Sequence, residues 1–431
     1  MNIAILGYGV EGESVYRYYR AKYPDAVITA YDNKQQPKNP LPTDVQFVGG
    51  LKDFTGITAD LAVRSPAIPP YAIQVTGSVT TMTREFMKQC PVPVIGVTGT
   101  KGKGTTASLI KAILEAAGKT VWLVGNIGVG AFDVLDKIQP NDLVVYEMSS
   151  FQLWDLDVSP HVAVVLGIEP EHLDVHKDFA EYVMAKANIA KYQQPQDTMI
   201  YRSGNQPAEQ ISQMSSATKI TYPSENGAHV REGLFYYGEQ ELCSVAALKL
   251  PGEHNKDNAC AAISATWEWV KDGNVIERGL ASFAGLPHRL KLVKSVGGVE
   301  YYDDSIATTT GSAIAALAAF GVPKIIILGG SSKGTAYDEL AQKIVETTDT
   351  MRRVLIIGSE APKIEEALKA VGFARYSNLG SSVTMDEVVK LASTSAEPGD
   401  VVILSPACAS FDMFRDYADR GDQFIQAVES L

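Results

Sequence analysis

One segment of the sequence, VIGVTGTKGKGTTASLIKAILEAAG at 94–118, constrains the fold more than any other. A short apolar run leads into a loop of glycines, which is followed by Lys103, two threonines and an amphipathic stretch. This order is typical of a β-strand that enters a phosphate-binding loop and then a helix, because glycines let successive N–H groups face the phosphates and the helix adds its dipole. The segment therefore predicts an α/β nucleotide-binding domain.

The residues of this loop have expected roles. Lys103 would reach the terminal phosphates of a bound nucleotide. In the common pattern a Ser or Thr directly follows the lysine and binds Mg²⁺, but here Gly104 takes that place and Thr105 comes next. We assign the metal-facing hydroxyl to Thr105. A connecting turn without a ligand is the alternative, and the combination of strand, loop, lysine and helix argues against it.

A second glycine-rich loop, GYGVEG at 7–12, follows the first predicted strand, NIAIL. The strand AVITAYD comes next and ends at Asp32, where a dinucleotide-binding domain places its ribose contact. A GxGxxG pattern also fits any tight turn between a strand and a helix. This loop keeps an NAD-dependent dehydrogenase open as a competing hypothesis.

Predicted strands alternate with helices along most of the chain, for example TVWLVG, DLVVYEM and HVAVVLGI, and later KIIILGG, RVLIIG and DVVILSP. Such alternation predicts parallel sheets with helices on both faces. We expect an α/β protein of three domains: a Rossmann-like domain at 1–90, a central P-loop ATPase-like domain at 91–286 and a Rossmann-like domain at 287–431. Short alternating strands at 201–250 predict a small antiparallel insertion.

Composition narrows the class of protein. The 50 acidic and 38 basic residues give a net charge of −12, which argues against sequence-independent binding of nucleic acid. The apolar runs are shorter than the roughly 18 residues that span a bilayer, and the N-terminus lacks the basic region of a signal peptide. The four cysteines are scattered and indicate reduced, mostly buried thiols. We expect a cytoplasmic protein without nucleic-acid or membrane partners.

Two later strands end in residues suited to a metal. Glu147 ends the strand DLVVYEM, at the edge of a parallel sheet that faces the ligand crevice. His172 lies in the loop EPEHLDVH after the strand HVAVVLGI, and the carboxylates nearby favour Mg²⁺ over Zn²⁺. A surface carboxylate is the alternative for Glu147. Residue type alone predicts that Lys186, in the helix AEYVMAKANIAKY, lies on a solvated helix face.

The chain resembles the Mur ligase family from its first strand to its last helix. TGTKGKGTT, GNIG, EMSSFQL, EPEHLD, YVMAK, GEHNKDN, GLPHR, DDSIAT, LGGSSK and SPACASFDMF occur in the order of that family. SSFQL, GLPHR and SPACAS together are most similar to the branch that adds D-glutamate to UDP-N-acetylmuramoyl-L-alanine. The related folylpolyglutamate synthases share the KGKGTT loop, but they leave the GYGVEG domain and SPACAS unexplained.

This resemblance implies a set of substrate contacts. ATP would be bound by Gly99, Thr100, Gly102, Lys103, Gly104, Thr105, Thr106, Asn255, Asn258, Arg289 and Asp304. The UDP-sugar would be bound by Gly9, Val10, Glu11, Asp32, Asn126 and His172. D-Glutamate would be bound by Thr308, Lys333, Ser410 and Tyr417.

The resemblance also implies the catalytic and metal-binding residues. Lys103, His172 and Lys186 would be catalytic, and two Mg²⁺ ions would be held with the help of Thr105, Glu147, His172 and Lys186, the last as a carbamate. Two positions depart from the family pattern: Ile306 stands where DSKAT has a lysine, and Tyr417 replaces a phenylalanine.

The implied reaction activates a carboxylate as an acyl phosphate, which the amine of D-glutamate then attacks. We expect a monomer that acts on small molecules. The alternatives are a folylpolyglutamate-synthase-like enzyme or another Mur ligase that adds a different amino acid, an NAD-dependent dehydrogenase, and a non-catalytic nucleotide-binding regulator.

Overall fold

The computed structural model describes residues 1–431 except 38–39, 127, 174 and 333–335, and the side chain of Val10 also lies outside the described part. The chain forms two compact units. The first consists of Met1–Lys249 and Glu253–Phe283, and the second of Leu250–Gly252 and Ala284–Leu431. Within the described residues, no helix is both long and apolar enough to cross a membrane.

The N-terminal part of the first unit is a parallel sheet with helices. Its elements are β1 (Asn2–Leu6), α1 (Val10–Lys22), β2 (Val27–Tyr31), β3 (Val45–Val48), β4 (Phe54–Ile57), β5 (Leu61–Arg64), β6 (Ile73–Val75), β7 (Ser78–Thr81) and α2 (Met82–Gln89). Five strands form the sheet in the order β3-β2-β1-β5-β7, and β4 pairs with β6. The strand order reverses beside β1, and ligands of doubly wound sheets bind at such a switch point. The GYGVEG loop follows β1 directly.

The rest of the first unit is built on a second sheet. Its elements are β8 (Val94–Thr98), α3 (Lys103–Ala116), β9 (Val121–Gly125), α4 (Ala131–Val134), β10 (Leu143–Glu147), α5 (Ser150–Leu153), β11 (Val162–Val165), α6 (Phe179–Lys191), β12 (Thr198–Arg202), α7 (Gln206–Ser212), β13 (Thr218–Tyr222), β14 (Ala228–Arg231), β15 (Leu234–Tyr237), β16 (Gln240–Ser244), α8 (Glu253–Thr266) and α9 (Gly273–Ser282). Six strands are parallel in the order β13-β12-β11-β8-β10-β9, and β14-β15-β16 form an antiparallel sheet.

Strands β8, β10 and β11 lie in the middle of the six-stranded sheet, because their residues are mostly apolar on both faces. All residues of β8, β10 and β11 are buried, as expected for parallel strands covered by helices on both sides. The antiparallel insertion predicted at 201–250 is confirmed for β14–β16 only. The first part of that range was assigned wrongly, because β13 pairs in parallel with β12 and so extends the main sheet.

The second unit is a mostly parallel sheet with helices on it. Its elements are β17 (Lys291–Val296), β18 (Val299–Asp303), α10 (Thr310–Ala318), β19 (Lys324–Gly329), α11 (Asp338–Glu346), β20 (Met351–Ile357), α12 (Ala361–Ala370), β21 (Tyr376–Gly380), α13 (Met385–Ser395), β22 (Val401–Leu404) and α14 (Tyr417–Glu429). The strand order is β17-β18-β22-β19-β20-β21, and only the β17–β18 pair is antiparallel among these pairings. The loops after β18, β22 and β19 therefore leave the same edge side by side. The predicted α/β class is confirmed.

Candidate active site

The carboxyl edge of the central sheet gathers three of the predicted motifs. In the register of the strands, Thr98 at the end of β8 pairs with Val165 of β11, and Glu147 at the end of β10 pairs with Val97 of β8. The glycine-rich loop, the SSFQL segment and the EPEHLD loop therefore begin next to one another. Residues from distant parts of the sequence meet here because parallel strands all present their carboxyl ends at one edge.

The loop after β8 has a backbone path that glycine permits. Gly102 has a φ of 84°, and a Cβ built on it would lie 2.4 Å from Oδ1 of Asn258. A Cβ on Gly99 would lie 2.6 Å from Cβ of Leu166. Both positions therefore exclude a side chain, for steric reasons as well as conformational ones. The chain turns tightly enough for α3 to begin at Lys103.

Two lysine side chains converge on this loop. Nζ of Lys103 donates to the carbonyl oxygens of Thr100 at 2.9 Å and Gly99 at 3.2 Å. Nζ of Lys186, from α6, donates to the same Gly99 oxygen at 2.8 Å and to Oγ1 of Thr98 at 3.3 Å. Two amines therefore share one carbonyl oxygen of the loop.

Lys186 is buried, so the solvated helix face predicted from its residue type is wrong. Only 1% of the residue is exposed, because α6 is covered on most of its surface and carries small residues on either side of this lysine. Burial lowers the pKa of Lys186 well below its usual range, and the charge of Lys103 lowers it further, whereas Glu171 and Glu147 act in the opposite direction. This environment favours an amine that is neutral and therefore nucleophilic.

The residues predicted to bind metal lie around the two lysines. Glu147 and Thr105 are buried, whereas the side chain of His172 is 45% exposed. His172 has a φ of 56°, and its ring lies 4.9 Å from that of Phe151 in the SSFQL segment. Among the described residues, no three His, Cys, Asp or Glu side chains group closely enough to form a metal cage by themselves.

Helix α8 brings two more predicted residues to the loop. Asn258 lies against Gly102, and its Oδ1 is 3.4 Å from Oγ1 of Thr106. Nδ2 of Asn258 donates to Oδ1 of Asn255 at 3.0 Å. Asn258 therefore contacts the loop directly and Asn255 lies beside it, while the predicted contacts of both asparagines with ATP stay a prediction.

Of the residues predicted to bind the sugar, Gly9 and Glu11 lie in the GYGVEG loop and Asp32 contacts it. Asp32 accepts backbone N–H bonds from Tyr8 at 2.8 Å and from Lys34 at 2.9 Å, so its carboxylate holds the loop itself. Gly9 is the N-cap of α1. Burial raises the pKa of Glu11, while the nearby side-chain amide of Gln152 and the charge of Arg64 act in the opposite direction.

Asn126 is exposed and adjoins Glu147, to whose carbonyl oxygen its backbone N–H donates at 3.3 Å. The side chain of Val10 is outside the described part. These positions bring the GYGVEG loop, α5 and the end of β9 into one unit, and their contacts with a sugar stay a prediction.

The second unit contains the residues predicted to bind D-glutamate, of which Lys333 lies outside the described residues. Ser410 is buried, Tyr417 is 42% exposed, and Thr308 is partly buried. The backbone carbonyl of Tyr417 accepts a hydrogen bond from Oγ of Ser305 at 2.7 Å, which joins the DDSIAT loop to the start of α14.

The predicted nucleotide contacts of this unit differ in exposure. Arg289 is exposed, whereas Asp304 is buried and accepts from Oγ of Ser405 at 2.7 Å and from the backbone of Leu290 at 3.1 Å. Burial raises the pKa of Asp304 to about 7, despite these hydrogen bonds and the charge of Arg289.

Sequence reasoning missed several residues of the site. Tyr182 lies one helical turn before Lys186, its hydroxyl is 3.1 Å from Oγ1 of Thr100, and its ring lies 4.7 Å from Nζ of Lys186. The buried ring of His176 is 3.1 Å from Oγ of Ser150 and stacks on Phe151. Tyr182 could have been predicted from its i, i+4 spacing to Lys186, which places the two side chains next to each other on one helix face. His176 could have been predicted because it is the second histidine of the HLDVH segment.

Comparison with known proteins places this site in a family. Residues 97–266 match the Mur ligase middle domain, and residues 288–408 match the glutamate ligase domain of Mur ligases. Proteins named UDP-N-acetylmuramoylalanine–D-glutamate ligase from Clostridium tetani and Acetivibrio thermocellus are 33% and 34% identical to this chain, with 100% of the chain and 96% of each relative covered.

Solved structures share the fold. The UDP-N-acetylmuramate-alanine ligase MurC of Thermotoga maritima gives a TM-score of 0.63 at 17% identity, over 100% of this chain and 99% of that one. The folylpolyglutamate synthase of Mycobacterium tuberculosis, solved with ADP and AMPPCP, gives 0.59 at 16% identity, over 80% of this chain and 94% of that one. Full-length identity above 30% to curated relatives, together with two matching domains, shows that the chain belongs to the Mur ligase family.

Proposed function

We propose that this protein is the ATP-dependent ligase that joins D-glutamate to UDP-N-acetylmuramoyl-L-alanine, a step of peptidoglycan precursor synthesis in the cytoplasm. The observation that carries the proposal is the convergence of Lys103 and Lys186 on the Gly99 carbonyl, in the loop that the sequence predicts to bind phosphates. The names of the full-length relatives support the choice of substrates.

The substrates are assigned to three parts of the chain. Residues 1–90 bind the UDP-sugar, 91–286 bind ATP and 287–431 bind the amino acid. In the first part Gly9 and the N-terminus of α1 suit a diphosphate, because unpaired N–H groups and the helix dipole attract anions. The protein works as a monomer.

Mg²⁺ fits the residues at the edge of the central sheet. This ion is bound by few protein ligands and takes its remaining oxygens from phosphates and water, so a site without a protein-only cage suits it. Thr105 and Glu147 offer hard oxygen donors, and His172 stands on the neighbouring loop. When bound, Mg²⁺ would neutralise charge on the phosphates of ATP.

The residues of this chain would then act on two anions that repel each other. The L-alanine carboxylate attacks the γ-phosphorus of ATP, ADP leaves, and an acyl phosphate forms. The amine of D-glutamate attacks the acyl carbon, and phosphate leaves. Lys103 provides a fixed positive charge at the terminal phosphates, and such preorganised charge is usually the largest catalytic contribution. Arg289 and Asp304 contact the nucleotide in this proposal.

Lys186 acts as a carbamate in this proposal. A carbamate forms when a neutral amine attacks CO₂, and the buried environment of Lys186 favours the neutral amine. The modification places a negative charge beside Lys103 where the neutral amine had none. It thereby forms an attractive pair with the Lys103 ammonium, and it adds oxygen donors for Mg²⁺.

The test is phosphate release from ATP with UDP-N-acetylmuramoyl-L-alanine and a panel of amino acids. We expect release that requires both the UDP-sugar and D-glutamate. Lys103→Ala should lower kcat/KM by about a hundredfold or more while the melting temperature stays near that of the parent. Lys111→Ala is the control, because Lys111 lies on the same helix and pairs with Glu115 at the surface. Normal turnover in folded Lys103→Ala protein would contradict the assignment of the ATP site.

A further inference from the structure

The second unit buries an arginine completely, and none of the roles described above uses it. Arg420 lies in the first turn of α14 and has 0% of its surface exposed. Its guanidinium makes five hydrogen bonds, to Oγ of Ser305 at 2.9 Å, to the carbonyl oxygen of Ser305 at 2.7 Å, twice to that of Cys408 at 3.2 Å, and to that of Ala409 at 3.2 Å. One planar group therefore holds two loops.

These loops are DDSIAT, which follows β18, and SPACAS, which follows β22. They leave neighbouring strands at the carboxyl edge of the sheet. A third loop, after β19, joins them through the backbone bond from Ser331 to the Ala409 carbonyl at 2.8 Å. The would-be Cβ of Gly330 lies 2.1 Å from that same oxygen. Arg420 thus lies under the junction of all three loops.

The acceptors of this guanidinium are neutral. Within the described residues, hydroxyl and carbonyl oxygens take its hydrogen bonds and no carboxylate pairs with it, although Asp412 and Asp303 contribute weaker attraction. Burial lowers the pKa of Arg420 to about 10, which leaves it charged at neutral pH. A buried charge without an ion-pair partner is costly unless something else offsets it. An anionic ligand on the adjoining loops would do so.

The residues that Arg420 holds are neighbours of the predicted amino-acid contacts. Ser410 directly follows Ala409, and Tyr417 lies three residues before Arg420 in α14. Oγ of Ser305 accepts from Arg420 and donates to the carbonyl of Tyr417, so the hydroxyl links both. In a trans peptide the N–H points away from the C=O. Holding the Ala409 carbonyl therefore directs the Ser410 N–H away from the guanidinium.

We propose that Arg420 is the positioning residue of the amino-acid site: it pins the DDSIAT and SPACAS loops in one arrangement and places a buried positive charge beneath them that selects an amino acid with carboxylate groups. The inference rests on the proposed function, since it assumes that these loops receive the amino acid. Arg420 acts through Ser305, Cys408 and Ala409 and does not itself touch the substrate. Its planar fork suits this task, because a lysine ammonium cannot span both loops at once.

The test compares Arg420→Lys and Arg420→Gln with the parent in full steady-state kinetics. We expect the KM for D-glutamate to rise by about tenfold to a hundredfold, more in Gln than in Lys, while the KM values for ATP and the UDP-sugar change less than about twofold. A residue that merely stabilised the unit would lower active enzyme and hence apparent kcat, with all three KM values intact. Arg375→Gln is the matched control, because Arg375 also donates to a backbone carbonyl but is exposed, directly before β21.

The outcomes separate this inference from the proposed function. If the unsubstituted enzyme uses another acidic amino acid, the D-glutamate assignment is refuted. The Arg420 variants should then still show a raised KM for that amino acid. Parent enzyme that accepts only uncharged amino acids would overturn the role of Arg420, whereas parent enzyme that accepts no amino acid would overturn the proposed function and with it the inference that rests on it. An unchanged amino-acid KM in folded Arg420→Lys protein would overturn it as well. If Arg420→Gln does not fold, the Lys variant alone decides, with circular dichroism and melting temperature as the check on folding.

Discussion

Nζ of Lys186 lies 2.8 Å from the carbonyl oxygen of Gly99, although 87 residues separate the two in the sequence. The contact joins α6 to the first glycine of the predicted phosphate loop. Lys103 donates to the same oxygen from the other side of the loop. The two lysines of the candidate site thus share one hydrogen-bond acceptor, and a change in the charge of either lysine changes the electrostatic energy of the other.

Lys186→Ala should lower activity by about a hundredfold or more, because it removes the group that we propose to be carbamylated. Acetate or another small carboxylic acid should restore part of this activity, since its carboxylate replaces the lost carbamate. Lys186→Arg should stay inactive, although it keeps a positive charge. The measurement is phosphate release with and without acetate, and a fully active Arg variant would show that the residue acts only as a cation.

Gly102→Ala should destabilise the protein by about 2 kcal/mol or more and weaken ATP binding. Alanine is strained at a φ of 84°, and its Cβ would press on Oδ1 of Asn258, whose side chain can turn away only by giving up its hydrogen bonds with Thr106 and Asn255. Gly118→Ala is the control, because Gly118 has a φ of 76° but open space around it. Gly118→Ala should lower the free energy of unfolding only by the backbone strain of about 1–2 kcal/mol, and it should leave ATP affinity unchanged. Denaturant unfolding measures the stability of each variant, and titration with ATP measures its affinity. Equal effects of the two variants would show that the contact between the new Cβ and Asn258 does not matter.

Glu147→Gln and His172→Ala should each raise the concentration of Mg²⁺ needed for half-maximal activity. Glu147 ends a buried strand at the edge where we place the phosphates, and His172 stands on the adjoining loop. We expect the requirement to rise by about tenfold for Glu147→Gln, with binding of the UDP-sugar altered much less. Activity is titrated against Mg²⁺ in each variant. Superimposable curves for parent and both variants would remove these residues from the metal site.

His161 should make stability depend on pH. Burial alone would lower its pKa, but hydrogen bonds to Asp197 and Glu268, each at 3.0 Å, outweigh this and raise it. A raised folded-state pKa means that the stabilisation is complete below the unfolded value of about 6.5 and is lost as pH rises through the folded value. His161→Asn should therefore lower the melting temperature more at about pH 5.5 than at about pH 8.5. Glu268→Gln should reduce that difference, and a pH-independent loss would show that packing alone is involved.

Strands and the phosphate loop were readable from the sequence because their causes are local. A run of apolar residues that ends at glycines and a lysine has few other ways to fold, and the strands around Glu147 and Thr98 were placed correctly for that reason. GYGVEG and Asp32 were also recognised as one local unit, and the structure joins them by a hydrogen bond to the backbone of Tyr8.

Only the tertiary structure decided what surrounds each side chain. The burial of Lys186 depends on how α6 packs against the sheet, and Arg420 matters because β18 and β22 are neighbours although a hundred residues separate them. The sequence by itself determined the α/β class and the order of the motifs, since these follow from residue type and spacing, whereas the roles of most site residues came from the family resemblance and stay predictions. The charge environment of those residues was decided by the fold, because electrostatic and desolvation effects act through space between groups that the chain order keeps far apart.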